Sequence, residues 1–185
     1  KERWNEYFKQ KNAGVILIIT AVILVMCVYT LSRFLINVEE RAGVILDDPL
    51  FHYFNAVDLN IPIFTLIYAS LILCLVYLVK NQPQELVLAL QTYSLLVIVR
   101  MAMMYVTPLE PPIGTIDLQD PLVFVVGTGK KLTKDLFFSG HTSILFMMFL
   151  IVKKPVLKYA FLTVTILVGL FVILQKVHYT VDVLA

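Results

Sequence analysis

The chain has 185 residues, 59% of them hydrophobic and 15% charged, with a formal net charge of +2. Soluble domains carry roughly 45–50% apolar and about 25% charged residues, so an ordinary soluble globule is excluded. So small a net charge offers no basis for nucleic-acid binding.

Residues 1–12 come first. Trp4, Tyr7, Phe8 and Lys11 fall at helical spacing, which suits a short helix at the membrane interface. The blander alternative is a frayed polar start to the first span. Five apolar runs follow: Ala13–Ile36, Ile61–Val79, Leu86–Val106, Leu136–Val152 and Val156–Leu174, with a sixth starting near His178. Runs of about 20 apolar residues cross a bilayer as helices, which satisfy their own backbone hydrogen bonds in lipid. The fold class expected is an all-α transmembrane bundle, with residues 13–185 as a single membrane domain. Cys27 and Cys74 lie inside apolar runs and read as core or lipid-facing thiols. The first run is too long for a cleaved signal peptide. A start at Lys1 and an end at Ala185, early in an apolar run, read as part of a longer chain.

Lysines and arginines set the expected orientation. Lys1, Arg3, Lys9, Lys11, Lys80, Lys153, Lys154 and Lys158 fall on one side, read as cytoplasmic. Arg41, Lys130, Lys131, Lys134 and Lys176 fall on the other with most of the acids. Two longer connections lie on the outer side. Residues 37–60 contain Asp47-Asp48-Pro49 and His52, and residues 107–135 are rich in proline and glycine. Long loops of this kind are often functional. Within the second, 122–126 reads as a short strand or an interfacial dip.

Traced through these helices, Arg100, His141, His178 and Asp182 all reach the outer side, though distant in sequence. His178 and Asp182 are four residues apart and would share a helix face. A carboxylate there orients an imidazole and stabilises its protonated form, leaving the other ring nitrogen free to attack phosphorus. His141 can protonate a leaving oxygen and later activate an acceptor. Ser139 reads as a helix N-cap, Gly140 as a point where backbone approaches substrate, and the helix start as a phosphate cradle. Arg100 offers a planar fork for phosphate oxygens, and Lys134 a further cation beside an anionic substrate. Each signal has a plainer alternative. Arg100 could be a snorkelling or helix-pairing residue, and an isolated H-x-x-x-D is often structural. Two histidines and an aspartate could also hold zinc, with His52 as the one further ligand on offer; His52 otherwise reads as an interface residue.

Phe138-Ser139-Gly140-His141-Thr142 and His178-Tyr179-Thr180-Val181-Asp182-Val183 resemble the two signature boxes of the sphingomyelin synthases, a branch of the type 2 phosphatidic acid phosphatase (PAP2) superfamily. Arg100 with Tyr105 to Pro111 is similar to that branch's third-helix box. Asp47-Asp48-Pro49-Leu50 with Phe54-Asn55 is similar to its first-loop box. The resemblance runs from Asp47 to Ala185. It implies a six-helix membrane enzyme with an exoplasmic site and a phosphohistidine mechanism, with His178 as nucleophile, Asp182 its partner and His141 the acid/base. It implies a phospholipid donor and a lipid-alcohol acceptor, ceramide or diacylglycerol, and no cofactor. The wider superfamily hydrolyses lipid phosphates and has an arginine six residues before the second histidine; here that residue is Val172, a departure shared by the sphingomyelin branch. Gln175-Lys176-Val177 stands where the animal enzymes have a further His-Asp pair. A lipid phosphatase, and a non-catalytic transporter or scaffold on the same fold, are the competing functions.

Overall fold

A computed structural model describes residues 2–120 and 132–185; the expected strand or dip at 122–126, and Lys130 and Lys131, lie outside the described residues. Its elements are α1 (Glu2–Phe8), α2 (Ala13–Glu40), a 3₁₀ turn (Pro49–His52), α3 (Asn60–Asn81), α4 (Pro83–Val106), α5 (Gly140–Ile151), α6 (Pro155–Leu174) and α7 (Thr180–Leu184). Four of these, α2, α3, α4 and α6, are long and apolar enough to cross a membrane. The described residues form an all-helical bundle, as the apolar runs predict, and fit an integral membrane protein.

Two turns at one end are tight, and proline sets both. Pro83 and Pro155 stand in the first turns of α4 and α6, where a missing N–H costs nothing and a fixed φ favours helix. Gln82 alone separates α3 from α4. At this end Trp4 Nε1 donates to the Val79 carbonyl at 2.8 Å, and the Tyr7 hydroxyl donates to Ala13 O at 3.1 Å. The aromatic face of α1 is thus partly spent on the bundle: Tyr7 is buried, and Phe8 is exposed.

The core lies among α3, α5 and α6, with Ile63, Leu78, Leu145, Met148, Phe161, Val168 and Val172 packed together. α2 is peripheral and leans mainly on α4. Only 11% of its apolar window is buried, against 33% in α3 and α4, so most of its surface is left for lipid. Cys27 and Cys74 are both buried free thiols.

One span differs from its expectation. The apolar run Leu136–Val152 yields a helix only from Gly140 to Ile151, 12 residues long. The reason is tertiary. Arg100 Nε donates to the Phe138 carbonyl at 2.9 Å, Phe138 takes a left-handed φ of 66°, and Ser139 N–H donates to Asp182 O at 2.9 Å. These bonds hold residues 136–139 out of the helix that their composition favours. At 1.5 Å per residue α5 is about 18 Å long, well short of a hydrocarbon core of about 30 Å.

The two longer connections, at the end away from α1, are knitted together. Val44 and Leu109 form a parallel bridge, with Val44 N–H donating to Pro108 O and Glu110 N–H to Val44 O, each at 3.0 Å. Gly43 makes this possible, since a Cβ there would stand 2.6 Å from the Leu109 carbonyl carbon. Glu39, at the end of α2, accepts from Thr133 N–H at 2.9 Å, Thr133 Oγ1 at 2.5 Å and Lys134 N–H at 3.0 Å. The segment leading into α5 is therefore tied to α2.

Candidate active site

The site forms where the starts of α5 and α7 meet the C-terminal part of α4. The Ser139 N–H bond to Asp182 O joins the two histidine-bearing segments directly. The rings of His141 and His178 face each other edge to face, with centroids 6.0 Å apart, and Phe64 closes on His141 at 6.1 Å.

His178 and Asp182 come together by a route other than a shared helix face. His178 precedes α7, which starts at Thr180. Asp182 sits in the first turn, and its Oδ2 accepts the Tyr179 N–H at 2.9 Å, the reach-back half of a capping box. That bond brings Oδ2 to 3.5 Å from His178 Nδ1, too long for a hydrogen bond but close enough for electrostatic pairing. Both side chains are almost completely buried, at 3% and 0% exposure. Nδ1 faces the carboxylate, which leaves Nε2 as the nitrogen on the other side of the ring.

Arg100 is buried in the same cluster. Besides the Phe138 carbonyl, its Nη2 donates to Asp135 Oδ1 at 2.6 Å. An α-helical side chain tilts toward its own N-terminus, so Arg100 reaches down into the bundle rather than up to solvent. Gly140 receives it: a Cβ at that position would lie 2.7 Å from both Arg100 Cζ and Nη1. The sequence reads Gly140 as room for substrate, whereas the group that uses the room is the guanidinium. Ser139 does occupy the N-cap position of α5, yet its hydroxyl makes no cap bond.

Several buried polar atoms here have no hydrogen-bond partner among the described residues: Ser139 Oγ, His141 Nδ1, His178 Nδ1, Thr180 Oγ1 and Asp182 Oδ1. Buried polar groups are ordinarily satisfied, so a cluster of orphans marks a place built for a polar guest.

Lys134 and His52 have other partners. The Lys134 ammonium donates to Glu110 Oε1 at 2.8 Å and Arg41 O at 2.6 Å. That hydrogen bond, followed by one from Gly43 N–H, holds the Glu110 carboxyl below the usual carboxylate range. Lys134 thus serves as a loop clasp. His52 is exposed and pairs with Asp47 at 2.8 Å. No group of three or more His, Cys, Asp or Glu side chains among the described residues could hold a metal ion.

Four supporting residues receive no role of their own from the sequence, although Asp48 and Tyr179 lie within the boxes quoted above. Asp48 Oδ2 accepts the Thr180 N–H at 2.7 Å and so caps α7 from the connection between α2 and α3. The Tyr179 hydroxyl donates to Glu110 O at 2.9 Å and accepts from Leu46 N–H at 3.2 Å, tying α7 to both loops. Gln175, fully buried, accepts from Leu59 N–H and donates to Ile116 O, each at 3.0 Å. Asp135 orients Arg100. The one signal available in sequence was the adjacency of Asp135, Gln175 and Tyr179 to the histidine segments; their long-range partners leave no local trace.

Residues 134–185 match the family described as PAP2 superfamily C-terminal. The match supports PAP2 superfamily membership and covers α5 to α7, with both histidines and Asp182. Among curated proteins, none matches the chain.

Proposed function

We infer that the chain is an integral-membrane lipid phosphotransferase of the sphingomyelin synthase-like kind, with residues 13–185 as its catalytic unit and 1–12 as an interfacial segment. The observation that carries this reading is the edge-to-face pair of His141 and His178 inside a buried cluster of unpartnered polar atoms, with Arg100 beside it. The PAP2 match adds lipid phosphate ester chemistry of the phosphatase type as the broader class.

In the first step His178 Nε2 attacks the donor phosphorus and the bond from phosphorus to the diacylglycerol oxygen breaks. His141 protonates that oxygen as it leaves. Asp182, on the Nδ1 side, stabilises the positive imidazole. In the second step His141 takes the proton of the acceptor hydroxyl, that oxygen attacks phosphorus, and His178 is released. Arg100 steadies the phosphoryl oxygens throughout. A lipid hydroxyl as acceptor makes the protein a transferase, with ceramide or diacylglycerol in that role; water makes it a phosphatase. The lysine and arginine distribution favours a cytoplasmic N-terminus and an exoplasmic site.

The test combines product analysis with trapping of an acid-labile phosphoenzyme. His178→Ala should form no phosphoenzyme. His141→Ala should lose about 10²–10⁴-fold on a lipid donor, whose leaving alkoxide needs a proton, and much less on an activated aryl ester. Phosphate trapped on His178→Ala, or equal losses of His141→Ala on both esters, would overturn the roles. Mass spectrometry of products with and without ceramide or diacylglycerol separates transfer from hydrolysis.

A further inference from the structure

α6 ends in a Schellman motif whose central position is filled by an unexpected residue. Lys176 N–H donates to Ile173 O at 2.9 Å and Val177 N–H to Val172 O at 3.1 Å, the paired bonds of that motif. The first of these two donors, just past the helix, adopts a left-handed backbone, ordinarily assigned to glycine because a Cβ is strained there. Here it is Lys176, with φ 56°. The turn alone would be better served by glycine, so a use for the lysine side chain is implied.

That side chain is buried, at 8% exposure. Its ammonium lies 5.4 Å from the centroid of Phe51 and 5.3 Å from that of Phe54, and it donates to the Phe51 carbonyl at 2.9 Å. The two rings meet edge to face at 80° with centroids 6.0 Å apart. Phe51 also stacks on Tyr179, the residue after His178, again at 6.0 Å. Two aromatic faces set at an angle with a carbonyl beside them are the elements of a box for a cation, of the type that recognises quaternary ammonium groups. Lys176 and His178 are two residues apart, so their Cα atoms are within about 7.6 Å. The box holds the Lys176 ammonium without a carboxylate paired to it among the described residues.

We propose that Lys176 determines headgroup selection: its own ammonium fills the cation box formed by Phe51 and Phe54, so the site takes donors with neutral or anionic headgroups and rejects those with choline or ethanolamine. This inference rests on the phosphotransferase reading for its substrate, but the box itself can be tested without turnover. A purely structural pin between the first outer loop and the α6–α7 turn would give no headgroup effect.

The informative variant is Lys176→Gly, because glycine suits the left-handed position and empties the box. Lys176→Arg keeps a cation on the rings. Initial rates would be compared for phosphatidylglycerol, phosphatidic acid, phosphatidylcholine and phosphatidylethanolamine in mixed micelles. The expected result is a wild-type preference of about tenfold or more for the first two over the last two. Lys176→Gly should shift that ratio toward choline by about tenfold, the size of one modest cation–π contact, while Lys176→Arg should not. Alongside, saturation-transfer NMR with tetramethylammonium should give N-methyl signal with Lys176→Gly and none with wild type. No transfer to Lys176→Gly, or equal transfer to wild type, would overturn the box. Binding with an unchanged headgroup ratio would overturn the selection role. Binding by Lys176→Gly with no lipid turned over by wild type would instead count against the enzyme reading and leave the box standing.

Discussion

The two ends of the bundle solve the same problem, joining helices across a membrane boundary, in opposite ways. At the end holding α1, one residue connects α3 to α4 and a short turn connects α5 to α6. The ion pair there, Lys153 with Glu85, has its lysine in solvent at 68% exposure and its glutamate at 16%. At the other end the connections are long, and Arg100 pairs with Asp135 at only 8% and 28% exposure. A pair whose cation stands in solvent contributes little to stability, whereas one whose cation is buried is costly to form and costlier to break. Charges kept at that cost are held for their position. The contrast separates an end that closes the fold from an end that orders chemical groups.

The contrast breaks if the buried end tolerates small changes. Gly140→Ala should lower turnover about 10–100-fold, since its Cβ would displace the guanidinium from a position 2.7 Å away and displacements of about 1 Å have costs of that order. Arg100→Lys should lose about tenfold or more, at least ~1.4 kcal/mol of transition-state stabilisation, because an ammonium cannot reproduce the two-pronged hold on Phe138 and Asp135. Initial rates on a lipid donor measure both, and wild-type rates in either variant would return Arg100 to a packing role.

Next in size is Gly43→Ala. The atoms that a Cβ would meet are backbone atoms of Leu109 and Glu110, which cannot swing aside. Thermal unfolding in detergent should show a loss of about 1–3 kcal/mol, the usual range for overpacking. An unchanged midpoint would mean that the bridge between the outer loops is dispensable.

Glu110 sharpens the comparison through pH. Its folded-state pKa is lowered, chiefly by the Lys134 hydrogen bond and then by the Gly43 N–H. A depressed carboxylate stabilises the fold in full above its unfolded value of about 4.3, and that contribution disappears as pH falls through the lower folded value. Melting profiles should therefore fall off below about pH 4.3 more steeply in wild type than in Glu110→Gln. Parallel profiles would remove Glu110 from the clasp. The smallest effect is expected at the opposite end: Lys153→Ala should cost less than about 1 kcal/mol and leave turnover unchanged. A loss of activity there would erase the distinction between the two ends.

The long helices were legible because a membrane span is written locally, as an unbroken apolar run. Ala13, Asn60, Pro83 and Pro155 open helices within three residues of where those runs begin. The meeting of Arg100, His141, His178 and Asp182 at one end was legible too, because alternating spans fix which end each residue reaches. What was not legible depended on contacts made across the chain. The start of α5 is set by Arg100 holding Phe138, not by the apolar composition of residues 136–139. The proximity of Asp182 to His178 comes from a capping turn, which the same four-residue spacing conceals. Lys134 and Lys176 read alike as outer-side cations. One is spent on a carboxylate and the other on aromatic faces, and only the folded chain tells them apart.

The brevity of α5 has a consequence for the depth of the histidine it carries. Its far end, next to Lys153-Lys154, belongs at one membrane boundary, so a helix of about 18 Å leaves its start roughly 10 Å beneath the other. That start meets protein rather than lipid: Leu136 is 2% and Ser139 1% exposed. Backbone outside a helix is tolerated at membrane depth where protein buries it. The shortfall thus sets the start of α5, and the histidine it carries, back inside the bundle rather than at its rim.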